Sequence, residues 1–295
     1  MRGLSIEIFN MIKENTKRSV RGRLRRHSFL SLALVPGIFL LGIYGFAKIN
    51  FQRCPLEVIF CDVGQGDASL IKLPDGRLIL IDGGPDGSVL KCLGKNIFFG
   101  KRKIDYLILS HYHDDHVLGF PEVARRYRIK NFIYVPDENY SAPRDELMKY
   151  LDKQQSQIIK LVFQGRLELE KNCYLQFLNP AIFKVPLDSN NSLVVRFSCR
   201  GKTFLFSGDN ELKVEKALLS SDFNFSADVF KASHHGSKTS NSEDFLRAGG
   251  FKILVISVGE NKFGHPSLEV LERAQNMGID IRRTDENGTI KFIIE

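Results

Sequence analysis

The chain has 295 residues, 43% hydrophobic and 26% charged, which is enough apolar chain to bury a large core. Its net charge of +8 is a poor argument for nucleic-acid binding, because residues 1–26 carry eight basic and two acidic side chains and so supply +6 of it. The five cysteines include no C-x-x-C pair, which excludes a zinc ribbon.

Residues 1–26 read as a basic tail, with Lys17, Arg18, Arg21, Arg23, Arg25 and Arg26 close together. No Asp, Glu, Lys or Arg then occurs until Lys48, and Phe29 to Ala47 is a 19-residue apolar run. At about 1.5 Å per residue such a helix crosses a bilayer's hydrocarbon core, and Pro36-Gly37 at its middle is tolerated in lipid. Segment 27–48 is therefore expected to be a transmembrane anchor. Arginines before it place the N-terminus in the cytoplasm and residues 49–295 outside. Gly45 and Ala47 are spaced like a signal-peptide cleavage site, so secretion after cleavage is the alternative; the length of the run favours an uncleaved anchor.

Residues 49–295 read as one domain without a Gly-, Ser- or Pro-rich linker. Strands are expected at Leu56 to Phe60, Ala68 to Leu73, Leu78 to Ile81 and Ile253 to Val258. Helical patterns follow at Pro121 to Tyr127, Asp145 to Lys153, Asn210 to Leu219, Ser242 to Ala248 and Ser267 to Met277. This alternation predicts an α/β domain of two face-to-face sheets with helices outside. Cys61 and Cys199 fall in strand-like stretches and are expected to pack as small buried hydrophobes. Any oxidised pairing among Cys54, Cys61, Cys92, Cys173 and Cys199 stays open. The basic runs at 101–103 and 125–130 are expected to be solvated surface or, failing that, a phosphate-attracting face.

The chemistry concentrates at Ser110-His111-Tyr112-His113-Asp114-Asp115-His116, directly after the apolar run 105–109. Imidazole nitrogens and a carboxylate are what a borderline-soft divalent ion accepts. His111 and His113, two apart on extended chain, point the same way and grip one ion, while Asp115 and His116 at the next turn grip another. The spacing suggests a two-metal site. Further on, Ile81-Asp82-Gly83-Gly84, Ser207-Gly208-Asp209 and Lys231-Ala232-Ser233-His234-His235-Gly236 each end an apolar run in a carboxylate or histidines. Gly264-His265-Pro266 follows another such run.

The H-x-H-x-D-H stretch resembles the metallo-β-lactamase superfamily. Asp62 to Asp67, Leu80 to Gly84, Asn190 to Val194, Phe206 to Asp209, His234 to Ser237 and Gly264 to Pro266 together narrow the resemblance to the hydrolase domain of ComEC-type DNA-uptake proteins. It covers about Leu56 to Glu295. The resemblance implies a four-layer αββα sandwich and two divalent ions, zinc first and manganese second. The implied ligands are His111, His113, Asp115, His116, Asp209 and one of His234 and His235, with His234 favoured because it is nearer the strand end. Asp209 would bridge both ions, helix capping being its other reading. Asp82 would orient a histidine from behind, with Asp67, Lys231, Asn190 and Asn191 in supporting places. Asp115 would also orient the attacking hydroxide, and His265 would donate a proton or hold a substrate oxygen.

Two departures stand out. The superfamily's third histidine on the first metal is missing, with Asn190 or Asn191 in its region, whereas His113 stands where ComEC-type domains often have Asp. A single hydrophobic run also cannot build a DNA channel, so a separate channel protein is an expected partner. The implied activity is phosphodiester hydrolysis, with DNA as first substrate. A cell-envelope phosphodiester such as a phosphorylcholine ester is the alternative, and a catalytically silent module binding DNA or envelope polymer is another. β-Lactam hydrolysis comes last, because the missing histidine impairs the site that would polarise a carbonyl.

Overall fold

The computed structural model describes residues 55–136, 142–183 and 191–295. The basic tail, the 27–48 segment, Cys54 and Asn190 lie outside them. No helix among the described residues is long and apolar enough to cross a membrane.

Two seven-stranded sheets form the centre. The first contains β1 (Leu56–Phe60), β2 (Ser69–Lys72), β3 (Leu78–Ile81), β4 (Lys103–Leu109), β5 (Arg128–Tyr134) and β6 (Gln157–Lys160), with β14 (Ile290–Ile294) returning beside β1. The second runs β7 (Gln164–Glu170), β8 (Cys173–Leu178), β9 (Val194–Cys199), β10 (Lys202–Phe206), β11 (Val229–Lys231), β12 (Ile253–Ile256) and β13 (Asp280–Arg283). Strands β3 to β6 are mutually parallel, as are β10 to β13. The helices are α1 (Val89–Asn96), α2 (Asp114–Val117), α3 (Gly119–Arg126), α4 (Ala142–Lys153), α5 (Leu212–Leu219), α6 (Glu243–Gly249), α7 (Leu268–Asn276) and α8 (Thr284–Asn287).

Side-chain alternation along the strands sorts the apolar residues into three cores. Ile79, Ile81, Ile108 and Ile133 of the first sheet meet Phe177, Val195, Phe197 and Phe206 of the second. Leu80, Leu107, Leu109 and Phe132 turn the other way, onto Val89 and Leu93 of α1, Phe120 and Val123 of α3, and Leu147 and Leu151 of α4. Leu205, Phe230 and Leu254 likewise face Val214 and Leu218 of α5, Phe245 of α6 and Val270 of α7. The order of layers is helix, sheet, sheet, helix. Strands covered on both faces read as continuous apolar runs, which is why Leu78–Ile81 is buried throughout.

Two expectations are corrected. The helix expected from Asn210 begins at Leu212 with Glu211 as its N-cap residue, so Asp209 caps nothing. The buried cysteines are not free thiols: Cys61 is joined to Cys92 of α1, and Cys173 to Cys199, its register partner across β8 and β9.

Candidate metal centre

Parallel strands present their carboxyl ends on one side, and ligand sites in α/β sheets form where those ends meet. Here β3 leads to Asp82, β4 to His111, His113, Asp115 and His116, β10 to Asp209, and β11 to His234 and His235. Asp115, His116, Asp209 and His235 offer donor atoms within 4.8 Å of one another, and so do His111, His113 and Asp209. The groups share Asp209. Its Oδ1 lies 3.2 Å from His116 Nε2 and 3.7 Å from His235 Nε2, and its Oδ2 lies 3.8 Å from His111 Nε2.

Each buried ring is held by its other nitrogen. His116 Nδ1 donates to Asp82 Oδ2 at 2.9 Å, and His235 Nδ1 donates to the Ser257 carbonyl at 2.9 Å. Those acceptors fix the tautomer and leave both Nε2 atoms facing inward. His111 Nδ1 sits 3.0 Å from Ser110 Oγ and 3.1 Å from Ser192 Oγ. The Ser110 hydroxyl gives its hydrogen to Asp82 Oδ2 at 2.8 Å, so its lone pairs are left for His111. Behind them Lys231 is buried in an ion pair with Asp67, whose Oδ1 stands 3.5 Å from His235 Nδ1.

Backbone conformation aims these groups. Asp82, His234 and His235 have φ of 57°, 49° and 53°, left-handed values that are strained for non-glycine residues and persist where the surroundings over-determine them. The turn at His234 and His235 is clamped: Ser233 N–H donates to Asn241 Oδ1, Asn241 Nδ2 donates back to the Ser233 carbonyl, and His234 N–H donates to the Gly208 carbonyl. Gly208 itself has φ +52°, and a Cβ there would stand 2.4 Å from that of Ser192. The bare backbone lets Asp209 N–H donate to Ser192 Oγ at 2.9 Å.

Four carboxylates, Asp67, Asp82, Asp115 and Asp209, meet here, and Lys231 pairs with Asp67, so the cluster attracts cations. Burial works against a charged His116, but the charges of Asp209 and Asp82 outweigh it and hold that ring well above the usual imidazole range. Burial and then the neighbouring His116 charge push His111 well below that range. Burial would raise Asp209, yet the charges of His116 and His235 keep its carboxyl well below the usual value. His111 Nε2, His116 Nε2 and Asp209 Oδ1 are buried without a hydrogen-bond partner, although such atoms are almost always paired in folded proteins. Inward-facing, unpartnered nitrogen and carboxylate donors fit divalent cations.

Other residues singled out from sequence fall as follows. His234 lies outside both donor groups; its Nδ1 is 3.3 Å from Glu211 Oε1 and its Nε2 is 3.9 Å from Asp209 Oδ2. His265 stands at the rim with its ring 5.3 Å from that of His234. Burial, followed by the charges of His234 and His235, pushes His265 down to about 4, so the ring is neutral at pH 7. Asn191 is half-buried beside Ser192. Ser192 and Ser257, which hold rings 81 and 22 residues away in the chain, act only through the tertiary fold, whereas Ser110 is the sequence neighbour of the His111 ring it contacts.

A family model described as the metallo-beta-lactamase superfamily matches residues 61–260, a span that holds every donor in both groups. The chain belongs to this superfamily. It is similar to ComE operon protein 3 of Bacillus subtilis, 30% identical over 254 residues that make up 80% of this chain and 33% of that protein. It is also similar to competence protein ComA of Neisseria gonorrhoeae, 28% identical over 269 residues, or 88% of this chain and 36% of the relative. The chain thus spans about a third of the length of these curated relatives, which are ComEC-type competence proteins. Among solved structures, the metallo-beta-lactamase fold protein YhfI from Bacillus subtilis superposes with a TM-score of 0.55 at 13% identity, covering 81% of this chain and all of that one. At that identity the likeness speaks for the fold alone. Superfamily membership, with the two donor groups, implies divalent metal ions and metal-dependent hydrolysis.

Proposed function

We propose that residues 49–295 are a phosphodiesterase that acts on DNA outside the cytoplasm. The observation that carries the hydrolytic part is the convergence of unpartnered His111 Nε2, His116 Nε2 and Asp209 Oδ1 at the carboxyl ends of β4 and β10. His111, His113 and Asp209 would hold one divalent ion, and Asp115, His116, Asp209 and His235 the other, with zinc first and manganese second. Bound there, such ions polarise a phosphoryl oxygen and make water a competent nucleophile at neutral pH.

The chain's own groups do the rest. Asp115, half-buried and 3.0 Å from His235 Nε2 through its Oδ2, is placed to orient the attacking water. His265, neutral and at the rim, is placed to hold a substrate oxygen through its ring N–H. Phe263, 74% exposed with its ring 5.8 Å from that of His265, offers a face on which a base can stack. DNA as substrate is supported by the competence proteins among the relatives.

The test uses the full-length chain in detergent, stripped with chelator and reloaded with zinc or manganese. Turnover of bis-p-nitrophenyl phosphate and of a labelled oligonucleotide should return only with metal. Cleavage of the small ester without the oligonucleotide would reject DNA and turn attention to envelope phosphodiesters. Full metal loading without turnover of either would make the domain a silent binding module.

Placement outside the cytoplasm is supported by the arginine block before the 29–47 run and by two disulfides, Cys61–Cys92 and Cys173–Cys199, which persist in oxidising compartments. Protease added to intact cells should digest the domain. A domain protected until the cells are lysed would reverse the topology.

A further inference from the structure

The end of the first sheet opposite the metal centre carries a second concentration of chemistry. Because β3, β4 and β5 are parallel, their N-terminal ends lie together, and seven-residue β4 puts about 23 Å between them and the histidines. Leading into β4, Lys101 N–H donates to the Phe98 carbonyl at 2.8 Å and closes a tight turn. The turn shows Phe98 and Phe99 to solvent at 82% and 86% exposure, more than any other large apolar side chain among the described residues.

A basic collar surrounds them. The Arg102 guanidinium lies 5.7 Å from the Phe99 ring centroid, and the Arg102 carbonyl accepts from Arg128 N–H at 2.8 Å. Lys103 is the register partner of Arg128. Lys103 pairs with Asp105, but Arg102, Arg126, Arg128 and Lys130 are exposed and make no ion pair among the described residues. Isolated exposed apolar residues are ordinary surface. Two consecutive phenylalanines at a turn tip, ringed by cations without counter-charges, are not.

The path of the chain selects the occupant. β1 is antiparallel to β2 and β2 to β3, so β1 runs with β3 to β5, and its first residue, Leu56, lies at this same end. The uncharged run ends at Ala47, eight residues before Pro55, a stretch that spans at most about 28 Å when fully extended. We propose that the Phe98-Phe99 turn and its collar of Arg102, Arg126, Arg128 and Lys130 dock on an anionic lipid surface. The phenylalanines enter the boundary between headgroups and acyl chains, and the cations meet lipid phosphates. Docking in this way holds the metal centre on the side of the domain away from the bilayer. The tether in this inference rests on the anchor reading, and the test separates the two.

The chain contains no tryptophan, so Phe99→Trp introduces a single indole that can be excited apart from the eight tyrosines. Full-length protein is reconstituted in vesicles of phosphatidylcholine and phosphatidylglycerol whose acyl chains are brominated. The expected result is loss of most of the emission, with a blue shift relative to detergent. Phe163→Trp, beyond the carboxyl end of β6, should stay bright. Adding Arg102→Glu, Arg126→Glu and Arg128→Glu to the first variant should restore its emission. Protein that floats with the vesicles while the fluorophore at 99 stays unquenched overturns the docking and leaves the anchor standing. Protein that fails to float overturns both. Quenching by single-stranded DNA but not by brominated lipid overturns the proposal and assigns the face to nucleic acid.

Discussion

Asp209→Asn is expected to abolish turnover while leaving the fold intact. The side chain is almost fully buried, and its two oxygens address different rings: Oδ1 faces His116 and His235, and Oδ2 faces His111. Asparagine has nearly the same shape and leaves the backbone bond from residue 209 to Ser192 Oγ in place. Because α5 starts at Leu212 behind Glu211, no helix end depends on the carboxylate. What disappears is a negative charge that two dications would share and one of its two acceptor oxygens. Groups that merely support a metal ligand cost about 10- to 100-fold when removed, so the loss here should exceed about 100-fold, together with at least one bound ion per chain. Metal content by elemental analysis, turnover, and thermal melting of the metal-free protein are to be measured on the same sample. Two ions bound with turnover near that of the parent chain would remove Asp209 from the shared position.

The parts of the site legible in sequence are those written locally. An apolar run that stops at a carboxylate or histidine describes a buried strand and the group at its end in one contiguous stretch, and Asp82, His111, His116 and Asp209 could be read in that way. Sequence is silent where the partner is distant. Ser192 touches His111 only because the chain entering β9 meets the end of β4 across the two sheets, Ser257 touches His235 only because β12 lies beside β11, and the cysteine pairs form across 31 and 26 residues. β13, Asp280–Arg283, was not foreseen because a strand of Asp-Ile-Arg-Arg carries little apolar signal. β7 at a sheet edge alternates exposed and half-buried positions and is similarly quiet. The helix expected at Asn210 begins two residues later because Asn210 is taken up by Ser192 instead, accepting its N–H and donating to its carbonyl.

The histidine pair after β11 shows the same limit and yields the sharper test. Position relative to the strand end favours His234, but two successive left-handed residues reverse the chain, and His235 is the ring delivered to Asp115 and Asp209. Its Nδ1 is committed to the Ser257 carbonyl, which turns Nε2 toward Asp115 and Asp209. His234 is partly exposed, turns toward Glu211 and stands beside His265 at the rim. Alanine would be a poor probe, since both positions have positive φ; asparagine tolerates that conformation better and removes the imidazole while preserving the turn. His235→Asn should therefore empty the four-donor group and lower turnover by more than about 100-fold, beyond what a supporting residue costs. His234→Asn should keep both ions and lose less than about 10-fold, the low end of that range, with the change appearing in KM if the ring meets substrate. Metal stoichiometry separates the two without reference to activity. If His234→Asn loses an ion and His235→Asn retains both, the ligand assignment is inverted.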